Sequence, residues 1–312
     1  MSPSLYVLCA AFIVGAALRI PVVLTMFGSG IVYLWASRQD IGLIVDQTLN
    51  NTMGMSAMLA VPMFILAANV MNAATISERL WSAANLIVGR LRGGHGHVTV
   101  LMNLAMSSMT GSAVSEASGP GMVAIKMMRT QGNYPGGLAV SVASGAALLG
   151  PIMPPSIPLV LYAVISGASV GALFLAGIIP AFLMALSLSI LISLMARRRN
   201  LPPAGRIEAK DRLRTIAGAL IPMTLPVVLL GGIWSGIFTP TEAASVAAMW
   251  AILLGIVVYR NLDARSLLAV FFESSRQSAV VMMLIISSFI INYAITNEGL
   301  ADGLASWIKA ME

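Results

Sequence analysis

The sequence predicts an all-α protein that crosses a membrane several times. Of its 312 residues, 58% are hydrophobic and 10% are charged, and its mean hydropathy is +0.90. Several apolar runs reach the about 20 residues that an α-helix needs to cross a bilayer. A soluble domain carries about 25% charged residues, so this composition excludes one. The net charge of +6 lies in short clusters of Arg and Lys, which indicates membrane orientation rather than nucleic-acid binding.

The first predicted elements are three spans and an interfacial helix. Residues 4–18 and 21–36 are apolar runs separated by Arg19, and residues 53–75 form the third. Residues 77–91 place apolar side chains on one broad face and charged side chains opposite. Such a helix lies in the membrane interface rather than across the bilayer.

Residues 95–130 come next, and they are the most informative segment. Their centre, residues 107–121, is rich in Ser, Thr and Gly and holds one acid, Glu116, although the flanks are apolar. Irregular backbone at membrane depth is tolerated only where protein buries it or where it lines a cavity. The segment therefore predicts two half-helices that meet at a polar tip, forming a re-entrant hairpin.

A second break interrupts the following helix, predicted over residues 135–165. Residues 150–158 read GPIMPPSIP, and proline removes a backbone donor and frees carbonyls that precede it. A span over residues 170–196 follows. Breaks in two neighbouring hydrophobic segments are typical of the binding site of a secondary transporter.

The basic residues predict the orientation of the chain. Residues 197–214 hold seven basic residues against two acids, which marks a cytoplasmic loop. Counting crossings from there places residues 37–52 outside. If residues 95–130 turn back without crossing, almost every cluster of Arg and Lys lies on the cytoplasmic side.

The order of elements indicates an inverted-topology repeat. Residues 1–196 form the first repeat, which contains five crossings, so the second starts on the opposite side. Residues 215–312 form an incomplete second repeat that stops before its hairpin. Its predicted elements are spans at 215–236, 240–260 and 277–297, a mixed-charge connector at 261–276 and an amphipathic arm at 299–311.

The two breaks supply the candidate site residues. Na⁺, like other hard cations, is bound by oxygen atoms, which hydroxyls and unwound carbonyls provide. The sodium candidates are Ser107, Ser108, Thr110, Gly111, Ser112, Gly150 and Pro154. Half-helix N-termini attract anions, and the candidates for a substrate carboxylate are Ser112, Glu116, Pro155 and Ser156. The alternative is that these small residues serve close helix packing, with Glu116 in a packing or cytoplasm-facing role.

Six motifs resemble one family over the whole chain. The chain is similar to the large membrane subunit of the tripartite ATP-independent periplasmic (TRAP) transporters. The motifs are VPMFILAANVM (61–71), RGGHGHV (92–98), TGSAVSEAS (110–118), GPIMPPSIPLVLYA (150–163), GALFLAGIIP (171–180) and GIFTPTEAASVA (236–247).

The resemblance implies an elevator-type, sodium-coupled secondary transporter in the bacterial inner membrane. It implies no cofactor other than Na⁺ as the coupling ion. It also implies three partners besides membrane lipid: a small membrane subunit, a periplasmic substrate-binding protein, and a C4-dicarboxylate or other small organic anion.

The sequence departs from the family pattern in two places. The family usually has Asp at the position of Glu116 and small aliphatic residues at 118–121. It also continues beyond the position of Glu312 with a second hairpin, a second broken helix and a last span. We therefore expect this chain to be C-terminally truncated, with half of the transport core, and not to transport alone.

There are three alternative functions, one of the same class and two of other classes. A stand-alone sodium–carboxylate carrier would share this architecture, and an inactive fragment or membrane scaffold would share the sequence pattern. An intramembrane enzyme would need a GxSG-type serine with a partnered histidine in a span, paired aspartates or an HExxH motif. The sequence contains none of these, so we expect no enzymatic activity.

Overall fold

The computed structural model describes residues 2–53, 56–74, 76–205, 209–300 and 306. This part of the chain forms fourteen α-helices and no strand. In order they are α1 (Pro3–Ala17), α2 (Val22–Ala36), α3 (Leu43–Met53), α4 (Ala60–Ala73), α5 (Ile76–Val88), α6 (Gly94–Thr110), α7 (Ala113–Ser118), α8 (Pro120–Thr130), α9 (Gly136–Ala147), α10 (Ile157–Ser166), α11 (Val170–Arg199), α12 (Ala209–Trp234), α13 (Pro240–Leu253) and α14 (Ala264–Asn297).

Four of the described helices are long and apolar enough to cross a membrane: α11, α12 from Thr215, α13 with its π-helical extension to Val258, and α14. The prediction of an all-α polytopic membrane protein is confirmed. Helices α1 and α2 are apolar, but each has 15 residues, short of the about 20 that a crossing needs. Their two crossings stay a prediction.

Helix α5 turns away from α4 by 72°. It buries Leu80, Trp81 and Ala84 and exposes Glu78 and Ile87. The interfacial position of this helix stays a prediction.

The charged segments are more helical than the sequence indicated. Helix α11 continues to Arg199 and α12 begins at Ala209, so the non-helical part of the basic loop is shorter than 197–214. Basic side chains in the last turn of α11 are favourable because the C-terminal end of a helix is partly negative.

The connector predicted at 261–276 is also largely helical. It belongs to α14, which starts at Ala264, and the Asp263 Oδ1 atom accepts a hydrogen bond from the Ser266 N–H at 2.9 Å. The Asp263 carboxylate caps the first turn of α14. The helix therefore begins at the next residue, Ala264, and continues into the apolar span. The amphipathic arm predicted at 299–311 lies almost entirely outside the described residues.

The chain divides into two compact units, and the first combines residues 1–56 with 276–312. Leu8, Tyr33, Leu34 and Ala294 form its buried core. The Tyr33 hydroxyl donates to Glu298 Oε1 at 3.0 Å and accepts from Asn297 Nδ2 at 3.0 Å. These bonds tie α2 to the C-terminal end of α14.

The second unit, residues 57–275, holds both helix breaks. Helix α6 is buried along nearly its whole length. It packs against α5, α8, α9 and α11. Apolar side chains between α6, α9 and α11 form a common core that includes Val100, Leu149 and Ala181.

Two glycines allow the breaks to touch through their backbones. Gly111 has φ = +61°, and its carbonyl accepts a hydrogen bond from the Ile157 N–H at 3.3 Å. A Cβ atom on Gly111 would lie 2.4 Å from the Pro155 carbonyl oxygen, and one on Gly150 would lie 2.9 Å from the Ser112 carbonyl carbon. Any side chain at either glycine would push the two breaks apart.

We predict that Gly111→Ala destabilises the protein by about 1–3 kcal/mol, because it adds left-handed strain and a steric overlap. The control is Gly137→Ala. Gly137 lies in α9 with no atom within 4 Å of its Cβ position, and there Ala is favoured over Gly by about 0.5–1 kcal/mol. Melting in detergent should separate the two variants, and equal melting temperatures would contradict the packing of the breaks.

The charge pattern predicts that α3 and the loop after α11 face opposite sides of the membrane. Asn50 and Pro203 are exposed in these two places. In a Cys9→Ser background, Asn50→Cys should react with an impermeant thiol reagent from outside intact cells. Pro203→Cys should react only after permeabilisation. Labelling of both from the same side would refute the topology.

Candidate functional site

The tip between α6 and α7 is built around a buried acid. The Thr110 Oγ1 hydroxyl, at the end of α6, donates a short hydrogen bond to Glu116 Oε1 in α7. Both side chains are 0% exposed, and Glu116 Oε2 has no partner among the described atoms. The carboxyl group therefore holds the tip together with one oxygen and leaves the other available.

The tip hydroxyls divide into bonded and free ones. Ser108 Oγ donates to the Ala105 carbonyl at 2.6 Å, and Ser112 Oγ accepts from the Ser115 N–H at 3.5 Å as the cap of α7. Ser107 Oγ is buried and has no partner in the described part of the chain. Of the predicted sodium ligands, Ser107 therefore has the most available side-chain oxygen.

The second break separates α9 from α10. Ser156, the residue before α10, forms two hydrogen bonds through its hydroxyl. The Ser156 Oγ atom donates to the Pro151 carbonyl at 2.5 Å and accepts from the Leu159 N–H at 3.3 Å. The Ile157 N–H donates to Gly111, and residue 158 is a proline. The first N–H groups of α10 are thus already bonded, so an anion near this terminus would meet the helix dipole rather than free donors.

The structure brings most of the sequence-predicted residues together. Gly111 lies against Pro155 and Ser156, and Gly150 lies against Ser112. Pro154 is buried but faces elsewhere, because its Cδ atom is 3.6 Å from the Cβ position of Gly177 in α11. Within the part of the chain that the structure describes, no side-chain hydrogen bond joins Ser107 or Ser108 to the second break.

Sequence analysis missed a polar stripe along α6. Thr99, Asn103, Ser107 and Thr110 follow one another at intervals of four, four and three residues, and all are 0% exposed. This spacing places them on one helix face. Asn103 Nδ2 donates to the Thr99 carbonyl at 2.9 Å, whereas its Oδ1 atom has no partner among the described residues. The spacing was visible in the sequence.

A second missed residue is Asn72, at the end of α4. Its Nδ2 group donates to Ser115 Oγ at 3.0 Å, and its Oδ1 atom lies 2.8 Å from the Cβ position of Gly119. The Oδ1 atom is buried, with no partner in the part of the chain described. Two asparagines, Asn69 and Asn72, within one apolar span were the available signal, because polar residues at membrane depth are functional by default.

The arrangement suits a cation that is bound by oxygen atoms. Asn103 Oδ1, Ser107 Oγ and Glu116 Oε2 are buried acceptors without a partner among the described atoms. Leaving a buried polar group unsatisfied costs about 1–3 kcal/mol. A cation bound by these oxygens would offset this cost. A tip with only a structural role would not need buried oxygens that lack a partner.

Comparison with known proteins agrees with this architecture. The family model described as the DctM component of the tripartite ATP-independent periplasmic transporter matches residues 9–312. The sialic acid TRAP transporter large permease protein of Vibrio cholerae is 36% identical over 273 residues, which are 88% of this chain and 62% of that protein.

Two further relatives are named as large permeases. The 2,3-diketo-L-gulonate protein of Escherichia coli is 34% identical over 90% of this chain and 66% of its own length. The C4-dicarboxylate protein of Pseudomonas aeruginosa is 34% identical over 81% of this chain and 59% of its own length. The chain thus spans about three fifths of these curated relatives.

These matches and the apolar spans make the protein a multi-pass protein of the inner membrane. The two helix breaks fall inside the matched region, as does each of the four long apolar helices. The chain therefore belongs to the family of the DctM component, the large permease of tripartite ATP-independent periplasmic transporters.

Proposed function

We propose that this chain is the permease subunit of a sodium-coupled importer of a small organic anion. The observation that carries the proposal is the contact of two helix breaks, at Gly111 and at Pro155–Ser156, beside buried oxygens that lack a partner among the described atoms. Discontinuous helices of this kind form the ion and substrate sites of secondary transporters.

The names of the relatives support a carboxylate as substrate. Sialic acid, 2,3-diketo-L-gulonate and C4-dicarboxylates, which stand in the names of three relatives, all carry a carboxylate group. The N-terminal end of α10 is partly positive, which favours such a group. Because Ser156 and Gly111 already bond its N–H groups, we propose that the substrate is attracted by the dipole and by bound Na⁺.

Sodium would be bound at the tip by Ser107 and Glu116, and Asn103 lies about two turns before the tip on the same face of α6. Their free oxygens are of the type that hard cations prefer. A bound cation would also stabilise the buried Glu116 carboxylate, which is expensive to ionise at membrane depth. Thr110 would keep this carboxyl group in place through its hydrogen bond.

The partners follow from the family. We propose that a periplasmic binding protein delivers the anion and that a small membrane subunit completes the complex. Movement of the unit that holds the breaks, in the manner of an elevator, would carry the site across the membrane.

We predict that Thr110→Ala combined with Ser112→Ala removes the sodium dependence of transport. The double variant loses the hydroxyl that positions Glu116 and the cap of α7. The measurement is uptake of a labelled carboxylate, with and without a sodium gradient, by proteoliposomes containing the complex in which this chain is completed by the family's remaining C-terminal part.

The matched control is Thr130→Ala with Ser141→Ala. These exposed hydroxyls bond only to carbonyls of their own helices, so sodium dependence should persist. Unchanged sodium dependence in the Thr110/Ser112 variant would sink the proposal.

A second prediction separates an ion ligand from a packing residue. Ser107→Ala removes a hydroxyl that has no described partner, so the variant should be as stable as the parent protein without sodium. In the presence of sodium, the variant should need an about tenfold higher sodium concentration for half-maximal stabilisation, which is equivalent to about 1.4 kcal/mol. Ser108→Ala is the control, because Ser108 bonds to its own helix. Melting curves over a sodium titration measure both, and equal sodium curves for the two variants would exclude Ser107 as a ligand.

A further inference from the structure

A cavity of about 610 Å³ lies between α5, α6 and α12, away from both helix breaks. Its walls are mainly apolar and include Leu80, Leu101 and Met223. The volume falls within the about 300–1,000 Å³ typical of sites for small molecules.

The cavity opens towards lipid. Ile87, Ile216 and Leu220 line it, and their side chains are 72%, 48% and 61% exposed. Exposed apolar side chains on membrane helices face hydrocarbon, because lipid tails solvate them as well as protein does.

Two arginines supply the charge of the cavity. Arg90 follows α5 and Arg212 lies in the first part of α12, and both line the cavity. No acidic residue lines it in the part of the chain that the structure describes. Guanidinium groups bind phosphate through paired N–H donors, so the cavity combines an apolar chamber with a phosphate-binding group.

The loop after α11, which adds Gly205 to the lining, is held in place by two hydrogen bonds. The Ala204 N–H donates to the Gly89 carbonyl at 2.8 Å, and Asn85 Nδ2 donates to the Gly205 carbonyl at 3.3 Å. These bonds fix the loop after α11 to the end of α5, so the chamber is part of the folded structure.

We propose that this cavity binds an anionic phospholipid, with an acyl chain among the apolar residues and the phosphate at Arg90 and Arg212. An amphipathic interfacial helix places α5 at the depth of lipid headgroups, and basic pockets between membrane helices bind anionic headgroups. Charge complementarity selects an anionic lipid over a zwitterionic one. The bound lipid joins α5 to α12.

The test uses the purified chain in detergent with phosphatidylglycerol or phosphatidylcholine of identical acyl chains. Phosphatidylglycerol should raise the melting temperature and remain bound in native mass spectrometry, and phosphatidylcholine should not. Arg90→Ala with Arg212→Ala should weaken phosphatidylglycerol binding at least tenfold. Arg198→Ala with Arg199→Ala is the control, since these exposed arginines are outside the cavity and the net charge changes equally.

Two further arms make the result decisive. Ala83→Phe fills the chamber and keeps both arginines, so it should also abolish retention of phosphatidylglycerol if the acyl chain enters. Inorganic phosphate should not reproduce the stabilisation. Equal effects of the two lipids, equal loss in both arginine pairs, full stabilisation by phosphate, or displacement of the lipid by the small membrane subunit would each overturn the proposal.

Discussion

The backbone contact between the two helix breaks is the constraint on which the site depends. Gly111 approaches Pro155 and Ser156, and Gly150 approaches Ser112, at distances that no side chain at either glycine would permit. The first break also satisfies a donor of the second, because the Gly111 carbonyl accepts a hydrogen bond from the Ile157 N–H. Unwound backbone can persist at membrane depth when its polar groups are satisfied in this way.

The buried polar groups around this contact are of two kinds, those with a hydrogen-bond partner and those without a described one. The hydroxyls of Ser108, Ser112 and Ser156 form hydrogen bonds with nearby backbone groups and so stabilise local structure. Ser107 and Asn103 keep an acceptor oxygen buried without a described partner. Since both lie on α6, a long and deeply buried helix, packing fixes their positions more firmly than a loop could.

Helix α5 has a separate role in the same unit. Its apolar face packs on α6, and its C-terminal end is bonded to the loop after α11. Arg79 of α5 also lies 4.3 Å from the ring centroid of Tyr259, a cation–π contact that stabilises the arrangement. The lipid cavity lies beside these contacts, so binding there would affect the support of α6 rather than the breaks themselves.

The sequence by itself determined the membrane class, the family motifs and the positions of both breaks. Hydrophobicity over a span, Gly at 111 and Pro at 154 and 155 act locally, so they can be read without the fold. Two other features had a signal in the sequence that was not recognised. Asp263 indicates the start of α14, and a regular spacing of polar residues indicates the polar stripe on α6.

Only the tertiary structure decided which oxygens are free and which residues meet. Asn72 contacts Ser115, and Gly111 contacts Ile157, across intervals that no local pattern encodes. Whether Ser107 or Ser108 keeps its hydroxyl free depends on rotamers and neighbours, not on residue type. Packing between distant segments fixes these features, because a hydrogen bond depends on distance and angle and not on the identity of its partners alone.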